Sequence, residues 1–381
     1  MNIVVAVDSF KGSMTSLEAG GAIAQGIRKA APDANVVVRP VADGGEGTMD
    51  ALIEGMQGAY ETITVTGPNG KPIECQYGVI PEAGIAVVEM AKVAGLPLLR
   101  QEERNPLYTT TYGVGEIIKD AIQKGYRRFI IGIGGSATND VGIGFLQALG
   151  YHFLNAEGKE VPFGAIGVKD IADVRLGHVM PELQECSFRV ACDVNNPLYG
   201  ENGCSYVYAR QKGATDESIR EMDQWIQNYS NLLKEKQLSM LEDMPGAGAA
   251  GGLGYAFASF TNSKLESGIQ IVLEETKLEE YIKMADIVIT GEGRLDGQTI
   301  RGKAPVGVAK LAKKYNKKVI AFAGSVSQDA VLCNENGIDA FFPILREVKS
   351  LEEVMKPENA EQNLTATAEQ VMRLLMFSFT E

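Results

Sequence analysis

Histidine is nearly absent from this chain of 381 residues: His152 and His178 are the only two, and Trp225 is the only tryptophan. Neither histidine lies in a metal-like or triad-like sequence setting, so each reads as an ordinary structural histidine. Trp225 lies in an amphipathic stretch over 217–235 and reads as a packing residue. The five cysteines are odd in number and lack paired C-x-x-C spacing. Cys186, Cys192 and Cys204 stand too far apart for a ribbon-type zinc site, and the set reads as reduced thiols in ordinary packing. No apolar run approaches the ~18 residues that a membrane span needs. The opening Met1-Asn2-Ile3-Val4-Val5-Ala6-Val7-Asp8 has no basic n-region and meets an acid early, unlike a signal peptide. A cytoplasmic setting is expected. Basic charge is also in deficit, with 36 Lys and Arg against 49 Asp and Glu, a net −13. That excess disfavours nonspecific binding of nucleic acid or anionic lipid, so an anionic ligand needs a local pocket of donors.

What is plentiful is glycine, 43 residues in clusters, in a chain of otherwise average make-up (45% hydrophobic, 22% charged). Residues 3–7 form an unbroken apolar run, the pattern of a strand buried on both faces. Thr15 followed by Glu18 reads as a capping box that opens a helix to about Ala31. Val36-Val37-Val38 follows as a strand, then the loop Asp43-Gly44-Gly45-Glu46-Gly47-Thr48 and a helix to about Met56. This is βαβα grammar, which implies parallel strands. It returns near the C-terminus: a strand over 287–289 runs into a loop over 290–296, and a helix over 306–315 leads to a strand over 319–322. A strand over 340–342 and a helix over 360–378 close the chain. Between these ends, 59–90 alternates with turn signals and predicts antiparallel hairpins. A strand over 128–133, a glycine loop, a helix over 138–149 and a strand near 188–192 come next. The expected fold class is α/β with two domains and a cleft between them. One is a discontinuous, doubly wound, Rossmann-like domain of residues 1–60 and 280–381. The other is an inserted mixed α/β domain of residues 61–279.

Loops after successive parallel strands converge at one sheet edge, and ligands bind there. Those loops carry Asp8, Ser9, Lys11, Asp43, Glu46, Glu292, Arg294 and Asp296 from the outer segments. The middle segment adds Gly134, Gly135, Ser136, Thr138, Asn139, Asp140, Asp193, Asn195 and Asn196. Acids, amides and hydroxyls beside glycine-freed backbone donors suit magnesium and phosphates better than hydride transfer. Gly132-Ile133-Gly134-Gly135-Ser136-Ala137 fits the G-x-G-x-x-[GA] spacing, but no acid closes the next strand at the proper place. It reads as an anion cradle at a helix N-terminus rather than a nicotinamide site. The Gly246-x-Gly248-x-x-Gly251 run follows Pro245 rather than a strand, so a second cradle and close helix packing stay equally open. No Gly-Lys pair is followed by Ser or Thr, and there is no G-x-S-x-G elbow.

At these loops the sequence resembles the bacterial glycerate kinase family, whose members phosphorylate D-glycerate with ATP. The resemblance rests on Asp8-Ser-Phe-Lys-Gly-Ser13, Val41-Ala-Asp-Gly-Gly-Glu-Gly-Thr48, Gly132-Ile-Gly-Gly-Ser-Ala-Thr-Asn-Asp140, Cys192-Asp-Val-Asn-Asn-Pro-Leu198, the stretch from Gly246 to Gly254, and Thr290-Gly-Glu-Gly-Arg-Leu-Asp296. These segments span most of the chain in order. The resemblance implies a two-domain α/β fold with a cleft, a kinase reaction, ATP and a divalent metal, Mg2+. It leans towards 2-phosphoglycerate as product.

Phosphoryl transfer needs positioning, charge neutralisation and a dry site more than covalent chemistry. Lys11 and Arg294, with Ser9, are the expected holders of the glycerate carboxylate. The backbone of Gly134, Gly135 and Ser136, with Thr138 and Asn139, is the expected cradle of the nucleotide phosphates. Asp193 is the first choice for a magnesium ligand or base. Asp8 is a rival base, and Asp43, Glu292 and Asp296 are rival metal ligands. These groups divide between the two expected domains, so closure on substrate is expected. Two other classes compete: a dinucleotide-dependent oxidoreductase using Gly132–Ala137, and a non-catalytic two-lobed binding protein. The sequence leaves the oligomeric state open.

Overall fold

The structure, a computed structural model, describes residues 1–377. The last residue of the helix expected over 360–378, and the end of the domain expected to reach 381, lie outside the described residues. Thirteen strands occur among the described residues. In chain order they are β1 (Asn2–Val5), β2 (Asn35–Val38), β3 (Ala59–Thr66), β4 (Pro72–Ile80), β5 (Ile85–Glu89), β6 (Arg128–Gly132), β7 (His152–Leu154), β8 (Asp173–Arg175), β9 (Ser187–Ala191), β10 (Ser263–Glu266), β11 (Ile287–Leu295), β12 (Lys318–Val326) and β13 (Ala340–Pro343). The fold class is mixed α/β, with one all-parallel sheet, one mixed sheet and a two-stranded antiparallel sheet of β7 and β8 among the described residues.

The backbone divides into two units. The first comprises Met1–Asp43, Asp50–Gln57 and the chain from Ile269 onward. The second comprises Gly44–Met49 and Gly58–Gly268. These divisions fall at other residues than 60 and 280. Residues 58–60 go with the middle of the chain because β3 is zipped to β4 from Ala59 on. Gly44 goes there too, since a Cβ on it would meet Ala191 and Asp193 at 3.0 and 3.3 Å.

The first unit holds a five-stranded parallel sheet in the order β13-β12-β11-β1-β2. β1 is apolar at every position but its first because helices cover both faces. One face packs Ile3, Val5, Ile289 and Phe322 against the helices Ser16–Ala30 and Pro357–Met376. The helix Ala304–Lys313 packs on β11 and β12. The Thr15 capping box is present: the hydroxyl accepts the Glu18 N–H, and the Glu18 carboxylate accepts the Thr15 N–H at 2.8 Å.

The second unit holds a six-stranded mixed sheet in the order β10-β9-β6-β5-β4-β3. The predicted hairpins are its antiparallel side: β3 pairs with β4, and β4 with β5. β5, β6, β9 and β10 are parallel. Its core is aromatic, with Phe129 stacked on Phe188 and Phe145 against Phe257. Trp225 packs at its margin, under the Lys169 ammonium.

Two expectations need correction. The strand expected to stop at Ile289 runs on to Leu295, so most of the 290–296 loop is strand. Glycine there is no turn signal: a Cβ at Gly291 would lie 2.2 Å from the Phe322 carbonyl oxygen, so only glycine lets the two backbones pair that closely. The helix expected over 138–149 is short, Ile143–Ala148. The Asp140 carboxylate takes the N–H groups of Thr111 and Gly142 and the Thr111 hydroxyl, drawing 138–142 into a loop.

Candidate active site

The carboxyl ends of β1, β11, β12 and β13 open onto a cavity of about 310 Å3 within the first unit. Asp8, Ser9, Lys11, Glu292 and Arg294 line its polar side, as a switch-point ligand site requires. Phe10, Ile344, Leu345, Leu351, Val354 and Met355 form an apolar wall. Ser9 and Lys11 lie four and six residues beyond β1, and Asp8 is anchored by its N–H to the Gly291 carbonyl at 2.8 Å.

Asp8 is 2% exposed. Burial pushes its carboxyl up to about 7, and the nearby Asp43 charge pushes the same way. Lys11 and the Ser9 N–H, which donates to Asp8 Oδ1 at 2.6 Å, act against that rise. A carboxylate poised near neutrality is the property a general base needs. The Lys11 ammonium lies 3.7 Å from Asp43 Oδ2 and is half exposed. Arg294 lies 3.5 Å from Asp296 and is largely exposed. Glu292 is buried and its carboxyl is raised, chiefly by burial. It accepts the Thr299 hydroxyl at 2.5 Å and faces Lys303 at 3.9 Å. Asp296 accepts the Gln298 N–H at 2.9 Å.

Among the described residues no three His, Cys, Asp or Glu side chains are grouped to hold a metal ion. Asp43, Glu292 and Asp296 therefore form no preassembled cage. The exposed Asp193 carboxylate, at the carboxyl edge of the second unit's sheet, nevertheless fits magnesium brought in with a nucleotide: the ion takes one or two carboxylates and fills its remaining positions with phosphate oxygens and water.

The second unit has its own carboxyl edge, where β5, β6 and β9 end at Glu89, Gly132 and Ala191. Gly134 and Gly135 are exposed there. Asp193, two residues beyond β9, is exposed and takes the Gly268 N–H at 3.3 Å. Thr138 and Asn139 are fully buried. The Asn139 amide donates to Ser205 Oγ at 2.9 Å, so these two shape the loop from within and do not present side chains to a ligand. No helix starts at Gly134, so the dinucleotide geometry fails along with the cradle expected at a helix N-terminus. The second glycine run is close packing. Gly251 has φ +68°, and a Cβ there would lie 2.1 Å from the Thr138 carbonyl oxygen. It supports the first loop from below, with the Val141 N–H donating to its carbonyl at 2.9 Å.

Sequence reasoning missed several groups. Ser13 lines the cavity, and among the described residues its hydroxyl, like that of Ser9, is buried without a hydrogen-bond partner. Lys303 also lines it, behind a Gly-Lys pair rejected only as a P-loop. Glu89 ends an apolar strand, the one available clue; it is buried and accepts the Met49 N–H at 2.7 Å. Lys212 gave no signal in charge or spacing, yet it is 1% exposed and holds the 136–138 loop. The two histidines are structural: His152 meets Glu160 at 2.9 Å and lies edge-on to His178.

With this geometry in hand, comparison with known proteins is specific. The glycerate kinase family model matches residues 3–376. A glycerate kinase of Haemophilus influenzae is 45% identical, with the whole of each chain covered. The glycerate 2-kinase of Escherichia coli K12 is 44% identical over 96% of this chain and 98% of its own. A solved Salmonella typhimurium LT2 structure assigned as glycerate kinase 2 superposes with a TM-score of 0.91 at 42% identity, covering all of both chains. Family, fold and the acid- and glycine-lined sheet edges agree: the chain belongs to the glycerate kinase family and is an ATP-dependent phosphotransferase acting on glycerate.

Proposed function

We propose that the chain transfers the γ-phosphoryl group of magnesium-bound ATP to the 2-hydroxyl of D-glycerate, giving 2-phosphoglycerate. The carrying observation is Asp8: a buried carboxyl poised near neutrality, beside the Lys11 ammonium and the hydroxyls of Ser9 and Ser13, which have no partner among the described residues. In this reading Asp8 accepts the proton of the attacking hydroxyl. Lys11 and Arg294 hold the glycerate carboxylate, and Ser9 bonds a substrate oxygen. The apolar wall of the cavity keeps water from competing for the phosphoryl group. Phosphates lie against the N–H groups of Gly134, Gly135 and Ser136, which donate to no protein acceptor among the described residues. Asp193 would hold the magnesium ion, which when bound would neutralise charge on the phosphates. Asp43, Glu292 and Asp296 serve instead as partners of Lys11, Lys303 and Arg294.

We take the two units as the two domains and place the protein in the cytoplasm. Support for the 2-hydroxyl comes from the printed name of the E. coli relative, a glycerate 2-kinase. Phosphorus NMR of the product, alongside ADP release over a panel of small hydroxy acids, tests the reading. 2-Phosphoglycerate from D-glycerate is expected, and 3-phosphoglycerate as the main product overturns the regiochemistry.

A further inference from the structure

Lys212, at the end of a short turn (Arg210–Lys212), is the one lysine among the described residues whose side chain is fully enclosed. Its ammonium donates to Ser136 Oγ at 2.8 Å and to the Thr138 carbonyl at 2.7 Å. No carboxylate lies within ion-pair distance of it among the described residues. The ionisable groups facing it are Asp140, on the loop it holds, and Cys204, on the helix Cys204–Tyr208. The Asp140 carboxylate is occupied by Thr111 and Gly142, and burial pushes the Cys204 thiol up to about 11. A buried cation with two neutral acceptors is expensive to maintain. On the loop it holds, the N–H groups of Gly134, Gly135 and Ser136 donate to no protein acceptor among the described residues, while the carbonyl of Gly135 and the N–H of Ala137 are tied to Leu96 and Ala94. The loop is pinned at its ends and along one side, and its donors stay free.

We propose that Lys212 is the fixed counter-charge of an anion site at Gly134–Ser136, and that the anion it serves is the polyphosphate of the nucleotide. The proposal rests on the reading of that loop as the phosphate site. Lys212 acts through the loop: its ammonium orients the Ser136 hydroxyl so that the oxygen lone pairs face Lys212 and the hydroxyl proton faces the ligand. It also adds positive potential beneath three free amides. Burial draws the ammonium down to about 8. An arriving anion favours the charged form, so binding near that pH must pull a proton onto Lys212.

Steady-state kinetics and calorimetry on the full-length protein test this. Lys212→Met should raise KM for ATP roughly 10- to 100-fold, by analogy with loss of a charge-assisted contact, and leave KM for glycerate within a few-fold. Titration of ADP with magnesium at pH 8, in two buffers of different ionisation enthalpy, should show proton uptake by wild type and none by Lys212→Met. Lys212→Arg keeps the charge but not the fit. It should lie between the two in KM and lose no affinity for ATP between pH 7 and 9, where wild type weakens. Equal effects on both KM values, with unchanged proton uptake, would reduce Lys212 to a structural prop and overturn the proposal. Ser136→Ala separates the two levels. If it weakens ATP binding while Lys212→Met does not, the Lys212 proposal alone falls. If neither variant affects ATP, the phosphate reading of the loop falls with it.

Discussion

Asp8 combines two demands that pull apart, since a site for an anionic substrate needs positive charge and a base needs a carboxylate. Its ordinary value is near 3.8 and its value in the fold is about 7. Between these the unfolded chain is ionised while the native protein holds a proton. Stability therefore falls as pH rises from about 4 to 7, and the whole penalty stands above 7. About three pH units of difference correspond to roughly 4 kcal/mol. Asp8→Asn should therefore be more stable than wild type at pH 8, by about 1–4 kcal/mol in urea unfolding, with the gap closing near pH 4. The same variant should lose turnover. Wild-type kcat should fall as pH drops through 7, and a flat profile from 5 to 8 would remove Asp8 as the base.

Lys11 gives a second residue-scale prediction. Lys11→Met should lose about 2–4 kcal/mol of transition-state stabilisation, the scale for one preorganised donor. Because Lys11 is half exposed, the fold should not notice. A wild-type kcat/KM would take Lys11 out of the mechanism.

At the scale of elements, the strands were legible where apolar runs were unbroken, as in β1, and where turn residues marked hairpins, as in β3 and β4. Helices were legible where a cap announced them, as at Thr15. The site motifs were legible because acids and glycines rarely gather after strands without a reason. What stayed hidden depended on partners distant in sequence. β11 continues through Gly291 and Gly293 because β12 pairs along it to Val326, and no local pattern carries that information. Lys212 looks like any surface lysine until Ser136, 76 positions away, is seen against it.

Gly251 belongs to the same class. Gly251→Ala would force a Cβ into the Thr138 carbonyl at φ +68°. The left-handed conformation alone costs about 1–2 kcal/mol, and the 138–141 loop must shift as well. Urea midpoint and KM for ATP should both worsen. A fall in stability with an unchanged KM would show that this glycine does not brace the phosphate loop.

At the scale of the whole molecule, the groups assigned to glycerate belong to the first unit and those assigned to phosphate belong to the second. On the proposed roles transfer needs both sets at once, so glycerate with a non-hydrolysable ATP analogue and magnesium should reduce the radius of gyration in small-angle scattering. Either ligand alone should do less. A curve unchanged at saturation would sink closure and leave the kinase assignment standing. Chelation of divalent ions by EDTA should abolish ADP release, with excess magnesium restoring it.

The pairing of β1 with β11 has a consequence for how the chain is made. Ile3 lies beside Ile287, yet about three-quarters of the polypeptide is synthesised between them. A nascent chain leaving the ribosome can pair β1 with β2 early, but that pair has no neighbour until β11 emerges. By then every strand of the second sheet, from β3 to β10, has already been made. Vectorial synthesis thus allows the inserted unit to fold first and leaves the apolar N-terminal unit of strand, helix and parallel strand waiting. Chaperone occupancy during translation should concentrate on that waiting segment, because its covering layer is encoded at the far end of the message.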